Sequence, residues 1–248
     1  MAQAWLFQTR PDSQPPPAQL VGIARLAASS PTLQTKTQVQ YLALAARSIL
    51  NRCQAGRVPF DYTINPYRGC EFGCRYCYAR YTHQYMGLDG ALFENRIYAK
   101  QHAAELLRAE LKKARNAPVA IGTATDPYQP AEGRLRITRQ ILEVIAEQAR
   151  GGQFSIATKS DLVTRDLDLL KAISECNFLH VNITITTLEA ELARALEPRA
   201  PRPELRLGAV RRLAEAGIWV GVLAAPVLPA ITDHPRNLEA LARQAKAA

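Results

Sequence analysis

The sequence predicts a parallel α/β fold, and three observations carry that expectation. After residue 60, short apolar runs alternate with amphipathic helical patterns. A strand, its crossover helix and the next strand take roughly 30 residues or more here, the length of a βαβ unit. Each apolar run also ends in a polar or proline-marked turn, and in parallel α/β folds the carboxyl ends of the strands carry the site. The bulk composition agrees: 248 residues with 48% hydrophobic and 21% charged side chains are ordinary values for a folded chain.

Along the chain, residues 1–55 read as an N-terminal extension and 56–248 as the core domain. The proline cluster "PDSQPPPAQ" predicts an extended, poorly ordered start. In "TQVQYLALAARSIL" the spacing of Tyr41, Leu42, Leu44, Ala45, Ile49 and Leu50 predicts an amphipathic helix, so the extension is expected as an appendage, partly disordered and then helical. Beyond it, "PVAIGTA", "FSIATKS", "LHVNITIT" and "IWVGVLAAP" are strand candidates. "ITRQILEVIAEQAR", "RDLDLLKAISE" and "ELRLGAVRRLAEAG" are the helices between and around them. The turns "TATDPYQPAEG", "ATKSD", "TITTLE" and "APVLPAITD" then collect on one rim of the sheet.

No run approaches the roughly 20 apolar residues of a membrane-spanning helix, and the first 20 residues lack the basic-then-apolar order of a signal peptide, so the expectation is a cytoplasmic protein without a membrane partner. A formal net charge of +9 admits phosphate-bearing partners such as nucleic acid, but the basic residues are scattered along helical patterns and no long Lys/Arg block stands out.

Three of the 5 cysteines crowd into "NPYRGCEFGCRYCYARYTH". Cys70, Cys74 and Cys77 follow C-x3-C-x2-C, and Gly69 and Gly73 let the backbone curl so that three thiolates face one centre. In a reducing compartment such clustering points to iron–sulfur or zinc ligation, not to disulfides. A structural zinc wants a fourth ligand, for which His83 is the candidate; that reading gives a zinc-stabilised nucleic-acid-binding module. Three thiolates on a four-iron cluster instead leave one iron open to a substrate or cofactor.

"CEFGCRYCYAR" resembles the cysteine motif of the radical S-adenosylmethionine (radical SAM) superfamily, with Tyr76 in its aromatic slot. With "GTATDPYQPAE", "ATKSDLVTRDLDLL", "TTLEAELARALEPRAP" and "VGVLAAPVLPAITD", the chain is similar to the spore photoproduct lyase-like branch, also labelled DNA repair photolyase-like. The resemblance implies a partial (β/α) barrel of the radical SAM type, and a [4Fe-4S] cluster held by Cys70, Cys74 and Cys77. It implies S-adenosylmethionine (SAM) chelated by the open iron and cleaved, on one-electron reduction, to methionine and a 5′-deoxyadenosyl radical that takes hydrogen from a substrate. Cofactor contacts carried over by the resemblance are Tyr76 beside the cluster, Thr125 and Asp126 for the SAM amino group, Lys159 for its carboxylate, and Thr184, or failing it Thr186, as a hydroxyl on the fourth strand. A reductant such as flavodoxin or ferredoxin is the implied partner, and nucleic acid the substrate class that the branch suggests.

Two departures qualify the resemblance. Spore photoproduct lyase keeps a cysteine near the end of the second strand to return a hydrogen atom to its product; here "IGTATDPYQP" offers Thr123 and Ala124, and a hydroxyl O–H bond is too strong to replace a thiol in that role. The chain also ends in the helical pattern "NLEALARQAKAA" after the fifth strand, and "LPAITD" carries alanine where relatives favour glycine. The expected barrel therefore lacks its last strand or strands, through truncation, completion by a partner or a shorter design, with truncation preferred. A cluster-binding protein without turnover is the alternative from another class.

Overall fold

The computed structural model describes residues 20–36, 38–114 and 117–248. The elements run α1 (Gly22–Ala28), β1 (Thr32–Thr35), β2 (Gln40–Leu44), β3 (Leu50–Arg52), β4 (Tyr62–Ile64), β5 (Tyr67–Arg68), β6 (Arg96–Lys100), α2 (Ala103–Glu110) and β7 (Pro118–Ile121). They continue α3 (Glu132–Leu135), α4 (Ile137–Gln148), β8 (Gln153–Thr158), α5 (Leu167–Cys176), β9 (Phe178–Thr184), α6 (Ala190–Leu196), α7 (Pro203–Glu215), β10 (Trp219–Leu223) and α8 (Pro235–Ala247).

The larger sheet has the order β10-β9-β8-β7-β4-β3. Its five strands from β4 to β10 are parallel, and β3 joins antiparallel to β4. The βαβ rhythm of the sequence thus becomes an open parallel sheet, which among the described residues does not close into a barrel. Period-two alternation sorts its faces. In β8 the pattern buries Phe154, Ile156 and Thr158 and leaves Ser155 and Ala157 half-buried. Ile141, Ile145, Leu170, Ile173, Val210 and Leu213, on α4, α5 and α7, share one apolar cluster with Val119, Ile121, Ile156, Val181 and Ile183 of the strands. Each such aliphatic side chain contributes roughly 1.5–3 kcal/mol by leaving water.

The helix expected over "TQVQYLALAARSIL" is not there among its described residues. Instead β2 pairs antiparallel with β1 and parallel with β6, and β3 pairs with β4. Val39, Tyr41 and Ala43 are buried, a period-two set that the Leu- and Ala-rich composition masked as a helical stripe. Aromatic and β-branched residues fit a half-buried pleat, and the partner strand β6 settles the choice. This part of the N-terminal extension is therefore hydrogen-bonded into both sheets. The proline cluster lies outside the described residues.

Candidate functional site

The cysteine loop runs from Gly69 to Cys77, between β5 and a 3-10 helix, Tyr78–Met86. Gly69 has φ +81°, and a Cβ there would lie 2.5 Å from the Arg96 carbonyl oxygen and 2.8 Å from that of Phe93, so only glycine passes β6 this closely. The Cys70 N–H donates to the Phe93 carbonyl at 2.9 Å. Buried Gln129 holds both sides of the turn: its Nε2 donates to the Gly69 carbonyl and its Oε1 accepts from the Glu71 N–H, each at 3.0 Å. Glu71 in turn accepts from the Tyr41 hydroxyl at 2.7 Å and pairs with Lys36 at 3.0 Å. The N-terminal strands are thus one wall of the cysteine loop.

From the other side, the turn after β7 folds back because Gly122, at φ +88°, leaves room that a Cβ would close, 2.5 Å from Pro127 Cδ and 2.6 Å from the Ala157 carbonyl oxygen. All eight residues predicted for the site, Cys70, Cys74, Tyr76, Cys77, Thr125, Asp126, Lys159 and Thr184, line one cavity of about 460 Å³ at the carboxyl ends of β7, β8 and β9. That volume lies in the range of small-molecule sites.

Cys70 and Cys74 are buried and Cys77 is half-buried. Burial pushes the Cys70 thiol well up, aided by the charges of Asp126 and Cys74, while the N–H groups of Asp126 and Phe72 pull it down. Burial pushes Cys74 up to about 11, against the pull of Lys159. Such thiols lose their protons on metal ligation, and N–H donors directed at a ligand sulfur tune an iron–sulfur cluster. Among the described residues, no three His, Cys, Asp or Glu side chains converge as a single ion would need. All three thiols line the cavity.

His83 does not supply the fourth ligand that the zinc reading needs. That residue is fully buried away from the cavity, with Nε2 at 3.1 Å from the Arg96 carbonyl oxygen and its ring 5.1 Å from that of Phe93. Burial pushes it down to about 4, so it stays neutral.

Asp126 is more occupied than a free carboxylate. It accepts from the Thr158 hydroxyl at 2.6 Å, from the Lys159 N–H at 2.7 Å and from the Tyr128 N–H at 2.9 Å, so it also builds the turn that carries it. Burial nevertheless raises its carboxyl above the usual range, against those three donors. Buried Thr125 donates to the Tyr67 carbonyl at 3.3 Å. Lys159 places Nζ 5.7 Å from the centre of the Tyr76 ring, a cation–π contact at the cavity wall. Of the two threonines weighed on β9 and just beyond it, Thr184 faces the cavity, while the Thr186 hydroxyl donates to Glu197 at 2.7 Å.

Tyr78 lies at the mouth, 68% exposed, its hydroxyl donating to the Thr123 carbonyl at 2.5 Å. Thr123 and Ala124 line the cavity. Tyr128 is buried, and Cys176 is exposed at the end of α5.

Sequence reasoning gave Gln129 no role and missed Glu71, Glu197 and Arg206. The last two lie in or just beyond "LEPRAP", a segment that carried the resemblance, but nothing in their spacing says that they pair.

Residues 64–242 match the family model described as the radical SAM superfamily, well over half of the chain. Uncharacterized protein Rv2578c of Mycobacterium tuberculosis is 38% identical over 214 residues, 85% of this chain and 62% of that protein. Uncharacterized protein MJ0683 of Methanocaldococcus jannaschii is 33% identical over 172 residues, 69% of this chain and 62% of that one. The chain thus spans less than two thirds of the length of these curated relatives.

Among solved structures, spore photoproduct lyase complexed with dinucleoside spore photoproduct superposes with a TM-score of 0.59 at 19% identity, over 82% of this chain and 57% of the lyase. A mutant of that lyase with bound AdoMet and dinucleoside spore photoproduct gives 0.61 at 18% identity, over 89% and 64%. These likenesses show a shared fold. The family match over residues 64–242 establishes that this chain belongs to the radical SAM superfamily.

Proposed function

We propose that the cavity holds a [4Fe-4S] cluster on Cys70, Cys74 and Cys77 and SAM against Tyr76, Thr125, Asp126, Lys159 and Thr184. One observation carries the reading: residues scattered over more than a hundred positions of sequence line a single cavity at the carboxyl ends of parallel strands. When bound, the cluster and SAM together supply a 5′-deoxyadenosyl radical by one-electron reduction.

The protein's own residues set the conditions for that chemistry. Phe72, Ala79 and Ala200 pack around Cys70 and Cys74 and keep bulk water from the thiolates. Lys159 offers a cation to the SAM carboxylate, and Asp126 offers a carboxylate to its amino group. Tyr76 supplies a flat apolar wall. A one-electron donor of the flavodoxin or ferredoxin class is required.

Among the described residues, no cysteine beyond the three motif thiols lines the cavity, so the substrate radical is not quenched by a thiol placed as in spore photoproduct lyase. Nucleic acid is the first substrate class to try, on the fold shared with a lyase solved with a dinucleoside and on the net charge of +9.

The test is anaerobic: reconstitute the chain with iron and sulfide, reduce it, add SAM and look for 5′-deoxyadenosine by chromatography. Product that disappears in Cys74→Ala is the expected result. A cluster that forms without SAM binding or product would favour the cluster-binding protein without turnover.

A further inference from the structure

We infer that Glu197 is a positioning residue for SAM: from behind the cavity wall it fixes the ring of Tyr76 in the orientation the cofactor meets. The inference rests on the function proposed above.

Glu197 and Arg206 are each 1% exposed and pair at 2.5 Å. Arg206 is held further by the Pro201 carbonyl at 2.8 Å and the Thr184 carbonyl at 3.1 Å. The other carboxylate oxygen of Glu197 accepts two hydroxyls, those of Tyr76 and Thr186. Backbone bonds bring this turn to the cysteine loop before any side chain acts: the Arg75 N–H donates to the Leu196 carbonyl at 2.9 Å and the Arg199 N–H to that of Phe72 at 3.2 Å.

Glu197 does not line the cavity, so it acts on the cofactor through residues that do: Tyr76 by a direct hydrogen bond, and Thr184 at one remove through Arg206. Stability alone does not account for the arrangement, because desolvating two ions costs several kcal/mol each and an apolar pair of similar volume often packs as well. What an apolar pair lacks is an acceptor for the Tyr76 hydroxyl. With that hydroxyl tied down, the ring cannot swing into the cavity, and Lys159 keeps its place over the ring face. Among the described residues Lys159 pairs with no carboxylate: Glu197 is occupied by Arg206 and two hydroxyls, which leaves the ammonium for the cofactor.

The experiment compares the reconstituted, cluster-loaded wild type with Tyr76→Phe, Glu197→Gln and the double variant. It reads iron content, the dissociation constant for SAM, and the change that SAM makes in the electron paramagnetic resonance signal of the reduced cluster. Loss of a hydrogen bond to a carboxylate predicts SAM binding about tenfold weaker in Tyr76→Phe, with unchanged iron content. The double variant should be no weaker than the weaker single variant, the mark of two residues acting as one unit. Glu197→Gln leaves Arg206 buried without its counter-ion; if that variant fails to fold, Tyr76→Phe, which removes one hydroxyl and leaves the ion pair intact, decides alone.

SAM affinity in Tyr76→Phe within twofold of wild type, with the same spectral change, overturns the inference and leaves the proposed function standing. Single effects that multiply in the double variant overturn it too. A wild type that carries the cluster and binds no SAM overturns both.

Discussion

At the scale of the residue, Ala230 tests the cost of backbone conformation in isolation. It sits exposed at φ +61° in the turn "LPAITD", a left-handed conformation in which a Cβ is strained. Ala230→Gly should therefore stabilise the fold by about 0.5–1 kcal/mol, after allowing for glycine's greater freedom when unfolded. In a chain of this size that is a rise of about 2 °C in Tm, and an unchanged or lower Tm would contradict the reading. The alanine was legible as a departure from relatives, but its dihedral angle was not. The cysteines were legible because ligand chemistry restricts residue type and spacing together. Glu197 was not, because a carboxylate whose partners lie 9 and 121 positions away leaves no local pattern.

Elements are held in place by side chains that the periodicity does not reveal, and Glu132 is the plainest case. Fully buried, it accepts from the Tyr67 hydroxyl on β5 at 2.5 Å, from the Thr138 N–H of α4 at 2.8 Å, and from Arg165 at 2.8 Å. It ties the strand that enters the cysteine loop to the first turn of α4 and to the segment before α5. Glu132→Ala should cost about 2–4 kcal/mol, since it leaves the buried Tyr67 hydroxyl and the Thr138 N–H without their acceptor, while Arg165 keeps its pair with Asp166. Chemical denaturation reads this directly, and a loss below about 1 kcal/mol would show that the carboxylate is dispensable. The same scale explains the one misread element. Residues 40–44 carry enough Leu and Ala to look helical, and only the pairing of β2 with β6 makes them a strand. Helices α4, α5 and α7 were read correctly because their apolar stripes face a sheet whose strands are themselves apolar runs.

For the whole molecule, pH is the lever with a definite sign. Lys100 ends β6 at 6% exposure, and burial, with Arg68 nearby, pushes its ammonium down from 10.5 to about 7 against the pull of Glu110. Below pH 7 both folded and unfolded chains hold the proton, and the buried charge destabilises the fold in full. Between about 7 and 10.5 the unfolded chain binds the extra proton, so stability rises with pH by up to about 1.4 kcal/mol per unit. Lys100→Met should raise stability at pH 7, and its advantage over wild type should shrink as pH climbs towards 10. An advantage constant across that window would mean that Lys100 keeps its proton in the fold. No described helix is long and apolar enough to cross a membrane.

By itself the sequence determined the parallel α/β rhythm, the three thiols and the rim on which their partners lie, because periodicity, ligand spacing and strand-end turns are all local. Tertiary structure decided what depends on contacts distant in sequence: that the N-terminal residues join both sheets, that Glu71 and Gln129 grip the cysteine loop, and that Glu197 and Arg206 stand behind Tyr76. Buried charges must find partners wherever the fold brings them, and no spacing rule along a chain specifies that.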